Sequence, residues 1–556
     1  MFADVLPETV ELRPGQLGAI DDILAAFKDG AKTVFLDAPV GSGKSLINLL
    51  VATRMKGAYL STPQVILVNQ YGSDTADDGK FPGLAATLYG RRNYACEFMR
   101  TLPQGDGGRP YATAEGAPCT FLPGWPRECP AFNVCEYYSA KRHAQEHPQT
   151  VTTMAYLLTG IRTGLYQPES GWHSRPILVI DEAHNLAEEI GRLLKAEIGP
   201  NTLPGFRRKW LESPADPRFR VIDSLPTYID RLGEVLSSLH TEGIPPKKTR
   251  ERIERLSSAR RLAEDIVLKL SNGTVEWVHS FDSRRIRHSW RPLSVRGMLS
   301  DFWNNFDHIL LCSGTFFGIE TLLGDCGLPA PSRRVVVADT FPPSRAPIRP
   351  LSAATLGYKA DELEYERAAD AIAAIASAHP EERGLIHANS YRLASAIRKY
   401  LPREVRRRLV SHDSINRTNR FARWRSEGFP NTIFLAVAMS QGIDLVGDIA
   451  RWQVIVKVPF PNLGDTWVRR RREQTDGQLW YSNRTLIDVL QASGRIMRSA
   501  EDWGTTYFVD SHMDQLLEND WLRLPEWFRN RVVAGRKSDR ALPGKFGDYS
   551  VRIPRK

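Results

Sequence analysis

Apolar residues along the chain fall into short continuous runs that alternate with stretches of helical spacing, and this rhythm occurs twice. In the first half, Ile20-Asp-Asp-Ile-Leu-Ala-Ala-Phe reads as a helix, Thr33-Val-Phe-Leu as a buried strand, and Ser45-Leu-Ile-Asn-Leu-Leu-Val-Ala-Thr as the helix that follows it. Further strands are predicted at Gly57-Ala-Tyr-Leu-Ser-Thr, Gln149-Thr-Val-Thr-Thr, Pro176-Ile-Leu-Val-Ile and His308-Ile-Leu-Leu-Cys-Ser, with a helix from Met154. A proline-rich connection covers 329–350. Beyond it Gly384-Leu-Ile-His-Ala-Asn, Thr432-Ile-Phe-Leu-Ala-Val and Gln453-Val-Ile-Val-Lys-Val alternate with helices near 368–377, 392–400 and 416–426. Strands that are apolar on both faces and separated by helices belong in parallel sheets, so the pattern predicts an α/β chain with two of them.

Two segments break the rhythm. From Tyr89 to Tyr138 periodicity is lost, Gly, Pro and aromatic residues crowd in, and four of the six cysteines fall here: Cys96, Cys119, Cys129 and Cys135. Such a segment builds a core of its own only with a staple. From 186 to 271 the chain is helical and polar. In 247–270, Ile253, Leu256, Ala259, Leu262, Ile266 and Leu270 keep helical spacing beneath a basic outer face, which suits a solvated surface and a nucleic-acid surface equally. Alternation in Thr274-Val-Glu-Trp-Val-His and Arg285-Ile-Arg-His-Ser-Trp predicts a hairpin returning to the first sheet. The resulting division is 1–88, 141–185 and 273–325 for the first α/β domain, 89–140 for the cysteine-rich insert, 186–272 for the helical insert, 326–533 for the second α/β domain, and 534–556 for a basic tail rich in Gly and Pro.

At 556 residues the chain is long enough for several cores. Hydrophobic content of 42% and charged content of 25% describe an ordinary globular protein, and no apolar run is long enough to span a bilayer. The N-terminus, Met1-Phe-Ala-Asp-Val-Leu-Pro-Glu, lacks the pattern of a signal peptide, which predicts a reducing cytoplasm and no membrane partner. Cysteines there are metal ligands or buried thiols rather than disulfides, and Cys312, inside a predicted strand, reads as a buried thiol. Cys96, Cys119, Cys129 and Cys135 could hold zinc or an iron–sulfur cluster. The absence of a CxxC pair argues against a common zinc ribbon, but spacing does not choose the metal. A formal charge of +10 points to nucleic acid as partner.

The chemistry centres on Asp37-Ala-Pro-Val-Gly-Ser-Gly-Lys-Ser45, a phosphate loop between a strand and a helix. Pro39, Val40, Gly41, Ser42 and Gly43 would wrap the phosphates with backbone N–H groups, Lys44 would reach the β and γ phosphates, and the Ser45 hydroxyl would hold magnesium. At the end of a second apolar strand, Asp181 would bind the same magnesium and Glu182 would orient and deprotonate the attacking water. Gln16, ahead of the loop, could read an adenine edge with its amide. Ser61 and Thr62 at a strand end suit either a nucleic-acid phosphate or a helix cap. Arg495 and Arg498, three apart on one helical face, could both reach a γ phosphate.

In order, these motifs resemble those of superfamily 2 helicases, and specifically the XPD/DinG group of iron–sulfur DNA helicases. Arg13-Pro-Gly-Gln16 is similar to the group's first motif, 38–45 to motif I, 59–70 to motif Ia, and Asp181-Glu-Ala-His184 to the DEAH box. Ser313-Gly-Thr315 is similar to motif III, 384–391 to motif IV, Gln441-Gly-Ile-Asp444 through Pro459-Phe-Pro461 to motif V, and Gln491 to Arg498 to motif VI. Gly90-Arg-Arg-Asn-Tyr-Ala-Cys96 resembles the stretch that carries the first cluster cysteine. The resemblance implies two RecA-like motor domains, an iron–sulfur insert in the first, and an arch-like helical insert. It implies ATP, magnesium and a 4Fe-4S cluster on Cys96, Cys119, Cys129 and Cys135, with Arg13, Gln16 and Asp444 at the nucleotide and Gln491 joining the catalytic set.

The activity implied is 5′ to 3′ translocation on single-stranded DNA with opening of duplex or forked DNA, in repair or replication, by a monomer or within a larger nucleoprotein complex. RNA, an RNA–DNA hybrid, or ATP-gated remodelling without unwinding are the competing readings, because motor motifs mainly see backbone. Tyr89, Arg91, Arg92 and Tyr94 are candidates for the strand-parting wedge, with cluster packing the alternative role for Tyr94. Met154 stands where relatives commonly carry Asn, the arch-like insert is short, and no exonuclease-like domain is expected before residue 12.

Overall fold

A computed structural model of the chain describes residues 6–8, 10–13, 15–39, 41–102, 111–121, 128–162, 172, 175–206, 218–239, 246–271, 273–339, 341–413, 416–427, 430–437, 449–495 and 502–533. The strands of the first half are β1 (Thr33–Asp37), β2 (Ala58–Thr62), β3 (Ala86–Thr87), β4 (Gln149–Thr153), β5 (Ile177–Ile180), β6 (Ala196–Ile198), β7 (Trp277–Asp282), β8 (Arg287–Pro292), β9 (His308–Ser313) and β10 (Ser332–Val336). Those of the second are β11 (Ile348–Ala354), β12 (Gly384–Ala388), β13 (Leu409–Ser411), β14 (Ile433–Val437), β15 (Trp452–Ile455) and β16 (Thr505–Asp510).

The α/β expectation holds. One parallel sheet of seven strands runs β10-β1-β9-β5-β2-β4-β3, and a second of six runs β11-β16-β15-β12-β14-β13. Helices cover both faces of the first. Val34 and Leu36 of β1 pack with Ile20, Ile23 and Leu50, while Phe35 between them packs with Ile180, Phe302 and Leu311 on the other side. Burial on alternate faces is what turned these strands into continuous apolar runs.

Two expectations are corrected. The hairpin of β7 and β8 forms, but it joins β6 in a separate three-stranded antiparallel sheet rather than the first parallel sheet. Its Trp277 and Trp290 are buried against the helices Arg218–Ser238 and Lys247–Leu270, so its apolar face already has a partner. The boundary at 325 and 326 also shifts. The connection at 329–350 contains β10, which pairs along β1 from Thr33 with Ser332 to Asp37 with Val336, so the first sheet extends past the predicted limit.

The second lobe docks onto the first through the helix Thr466–Arg472. Trp467 Nε1 donates to the Pro292 carbonyl at 2.9 Å, the Arg291 guanidinium lies 3.6 Å above the Trp467 ring, and buried Arg471 bridges Asp476 and, at 3.0 Å, Asp325. Within the second sheet Gly384 of β12 leaves room for the buried Trp452 of β15, whose Cε2 would lie 2.1 Å from a Cβ at that position. Gly384→Ala is therefore expected to lower stability by roughly 1–3 kcal/mol, the range of overpacked cores, as a shift in the denaturant midpoint. An unchanged midpoint would contradict the packing.

Candidate active site

β1, β9 and β5 are neighbours, and their parallel registers bring Asp37 beside Ser313 and Ile180 beside Leu311. The phosphate loop, the Ser313-Gly-Thr315 turn and the DEAH box therefore leave the sheet at one edge. In the loop, Gly41 and Gly43 adopt positive φ of 85° and 80°, which admits glycine readily, and the helix Lys44–Arg54 begins directly after. Lys44 Nζ lies 3.3 Å from the Ala38 carbonyl and 3.6 Å from Glu182 Oε1.

Gln16 is buried against this loop rather than open to a base. Its Nε2 donates to the Ser42 carbonyl at 2.9 Å and its Oε1 accepts the Arg13 N–H at 2.6 Å, while Arg13 Nη1 donates to the Gly41 carbonyl. A Cβ on Gly43 would collide with the Gln16 amide at 2.3 Å. Both ends of that amide brace the loop in this arrangement. Asp37, at the root of the loop, accepts the Phe316 N–H at 2.6 Å and pairs with Arg334 of β10, tying the loop to the turn after β9.

Asp181 accepts the Glu182 N–H on Oδ1 at 3.0 Å and the Tyr71 hydroxyl on Oδ2 at 3.2 Å. Burial and the adjacent Glu182 push its carboxyl up to about 6, with Lys44 opposing. Glu182 takes a left-handed φ of 53°, a strained setting for a side-chain-bearing residue. Burial raises its carboxyl, but the Lys44 ammonium, with Arg495 adding less, outweighs that and holds it below the ordinary range. His184 is pushed down to about 4 by burial, so it is neutral at pH 7. Its Nε2 lies 2.6 Å from Gln491 Nε2, which makes it an acceptor, and its Nδ1 lies 3.0 Å from Ser313 Oγ, the natural place for the proton.

Gln491 belongs to the second lobe. It sits near the end of the helix Gly477–Ser493, which is fixed to the sheet by buried Gln453, whose Nε2 donates to the Ala492 carbonyl and to Thr506 Oγ1, both at 2.8 Å. Arg495 follows that helix, is 8% exposed, and acts electrostatically on Glu182. Two turns before Gln491 in the same helix, Arg484 donates to Asn185 Oδ1 and lies 3.4 Å from Glu188 and 3.2 Å from Asp488. Val40, Asp444 and Arg498 lie outside the described residues, as do 441–448 of the motif V stretch and the tail.

Cys96, Cys119, Cys129 and Cys135 line one cavity together with Arg91 and Tyr138. Arg91 Nη1 donates to Cys119 Sγ at 3.2 Å and Nη2 to the Tyr138 hydroxyl at 3.0 Å. Burial, and then the charges of the other three cysteines, push the Cys96 thiol up to about 11. Four cysteine sulfurs around one cavity are soft donors of the kind a metal or cluster takes, so the donor chemistry fits one. Among the described residues, however, no three His, Cys, Asp or Glu side chains are set as a metal site. Tyr94 packs edge-on to Tyr89 and Tyr137 and its hydroxyl accepts the Tyr89 N–H, a packing role. Cys312 is fully buried in β9, as its strand position predicts.

Tyr71, Asn48, Asp37 and Arg484 were not singled out from the sequence. Polar residues inside an apolar helical pattern, as Asn48 is, were the available signal.

Residues 372–531 match the family described as "Helicase C-terminal domain". The Fanconi anemia group J protein homolog of Gallus gallus is 29% identical over 104 residues, 17% of this chain and 8% of that protein. The Regulator of telomere elongation helicase 1 homolog of Arabidopsis thaliana is 28% identical over 120 residues, 18% of this chain and 11% of that protein. The match thus spans about a tenth of those relatives. Among solved structures, "XPD_Helicase" aligns over 93% of this chain and 99% of its own at TM-score 0.60 and 16% identity, and "Structure of S. tokodaii Xpd4" over 92% and 98% at TM-score 0.56 and 16% identity. The fold of two RecA-like lobes is therefore shared across nearly the whole chain.

The electrostatics of His184 give a test. Its folded pKa of about 4 lies below the unfolded value near 6.5, so between those values the unfolded chain binds more protons and His184 removes stability as pH falls. Asp181, raised to about 6, acts in the opposite sense over part of the same window. The comparison must therefore be with His184→Gln. Between pH 7 and pH 4.5 the stability of the variant relative to wild type is expected to rise by roughly 2–3 kcal/mol in denaturant unfolding. A gap independent of pH would contradict a buried neutral imidazole.

Proposed function

We propose that this chain, an XPD/DinG-like superfamily 2 helicase by its C-terminal domain and its fold, hydrolyses ATP in the cleft between its two lobes. The cycle would drive movement 5′ to 3′ along single-stranded DNA and part duplex or forked DNA. The observation that carries the reading is the contact of Gln491 with His184, which sets the end of a second-lobe helix against the DEAH turn of the first. A group on one lobe then senses the state of the other, as a motor needs.

In this reading the N–H groups of Gly41, Ser42 and Gly43 and the Lys44 ammonium hold the phosphates. Ser45 and Asp181 would hold magnesium, which would supply neutralising charge to the phosphates. Glu182 takes the proton of the attacking water. Its depressed pKa keeps it ionised, and neutral His184 hands its orientation to Gln491 and Ser313. Arg495 and Arg498 stabilise the charge on the transferred group, Arg13 and Gln16 brace the phosphate loop, and Asp444 contributes to holding the nucleotide.

Cys96, Cys119, Cys129 and Cys135 would hold a 4Fe-4S cluster, which supplies a rigid staple for the insert. Arg91, bonded to Cys119 and stacked 4.3 Å over Tyr137, would steady that site and brace the wedge. The family resemblance supplies the direction of travel and the preference for DNA.

An anaerobic assay on forks with 5′ or 3′ tails, beside DNA- and RNA-stimulated ATPase and iron analysis of the same sample, tests the proposal. ATP-dependent opening of the 5′-tailed fork and loss of iron, visible colour and unwinding in Cys119→Ser are expected. No opening with the iron intact, stimulation by RNA alone, or zinc in place of iron would contradict it.

A further inference from the structure

We propose that Tyr71 is a positioning residue that couples nucleic-acid contact to the magnesium ligands of the ATP site. The inference rests on the reading above, in which Ser45 and Asp181 hold the metal and the chain moves along single-stranded DNA, and on the strand end Ser61-Thr62, just ahead of the helix Val65–Thr75, as a contact for a phosphate of that strand.

Tyr71 projects from that helix into the first lobe and is 2% exposed. Its hydroxyl donates to Asp181 Oδ2 at 3.2 Å and accepts from Asn48 Nδ2 at 3.0 Å, with the Ser45 hydroxyl a third hydrogen-bonding neighbour. Asn48 stands one turn after Ser45 on the helix Lys44–Arg54, and the Cys312 thiol, just before the Ser313-Gly-Thr315 turn, lies beside it. One phenol oxygen thus meets both predicted metal ligands and joins three elements: its own helix, the helix after the phosphate loop, and the end of β5.

The carboxylate of Asp181 has two oxygens, and each takes one protein donor: the Glu182 N–H on Oδ1 and Tyr71 on Oδ2. Together these fix the plane of the carboxylate and leave the remaining lone pairs for a cation. A second tie runs through the backbone, where Asp181 N–H donates to the Ser61 carbonyl at 2.8 Å. Ser61 is next to last in β2, which leads into the Tyr71 helix, and Thr62 Oγ1 donates to the Gln64 carbonyl at 3.0 Å at the junction. A shift of this strand end and helix therefore reaches Asp181 at both its amide and its side chain.

Packing alone would be served by phenylalanine, because a buried hydroxyl is costly unless it is bonded. The buried Ser61 Oγ meanwhile has no hydrogen-bond partner, which marks a polar network with a further arrangement open to it.

The test separates coupling from catalysis by reading binding without turnover. Magnesium is titrated against a fluorescent ADP bound to full-length wild type and Tyr71→Phe, with and without oligothymidylate. In wild type the oligonucleotide is expected to lower the half-saturating magnesium concentration several-fold. In Tyr71→Phe that concentration should rise about tenfold, the scale of one hydrogen bond to a charged group, and become indifferent to the oligonucleotide, whose own affinity stays near wild type. Asn48→Ala, which only loosens the phenol, should show the same effect at smaller size and stands in if the first variant does not fold. Wild-type magnesium response in either folded variant overturns the relay. So does a wild type that binds both ligands without coupling, whereas one that binds no oligonucleotide overturns the functional reading and the relay with it.

Discussion

The structure depends on the parallel pairing of β9 between β1 and β5. That register brings Asp37 level with Ser313 and Ile180 level with Leu311, so three turns separated by well over a hundred residues leave the sheet side by side. No local preference of the loops could do this. It is a consequence of burying strands on both faces, which forces them into the middle of a sheet and directs their polar ends to one edge. Once the strands are aligned, a charged lysine, two carboxylates and an imidazole occupy one small volume, and their unusual ionisation follows from burial and from each other.

The second lobe is joined to this edge by polar contacts and anchored away from it by apolar ones. Gln491 meets His184 and Arg484 meets Asn185 and Glu188 at the site, while Trp467, Trp480, Val278 and Leu293 form a packed joint at a distance. This division suits a hinge: the joint keeps the lobes together, and the polar contacts can be exchanged for contacts with a triphosphate. Arg471, buried and bridging Asp325 and Asp476, reinforces the joint with charge-assisted bonds whose partners are partly exposed.

Much of this was legible in the sequence, for specific reasons. β1, β2, β5, β9, β12, β14 and β15 are continuous apolar runs, and the loop after β1 carries its glycines where the backbone turns through positive φ. Among the strands that escaped notice, β10, with Arg333 and Arg334, lies at the edge of its sheet, β13 is only three residues long, and β11 overlaps the proline-rich connection, while β3, β6 and the buried β16 escaped as well. The hairpin of β7 and β8 was visible as an alternation, but alternation does not say which sheet it joins. At the site, residues with a charged or glycine signature were legible. Tyr71 and Asn48 were not, because their contact depends on where two helices cross beside Asp181. The amide of Gln16 was legible as important but not in its use, since its bonds to Ser42 and Arg13 arise from tertiary contact.

The central claim is that the second lobe completes a site built on the first. Single-turnover hydrolysis by Arg495→Ala, at saturating ATP and single-stranded DNA, tests it most directly. If Arg495 acts on the transferred phosphoryl group, the rate falls by roughly a thousandfold or more while nucleotide binding stays close to wild type. A hydrolysis rate equal to that of wild type would mean that the first lobe works alone.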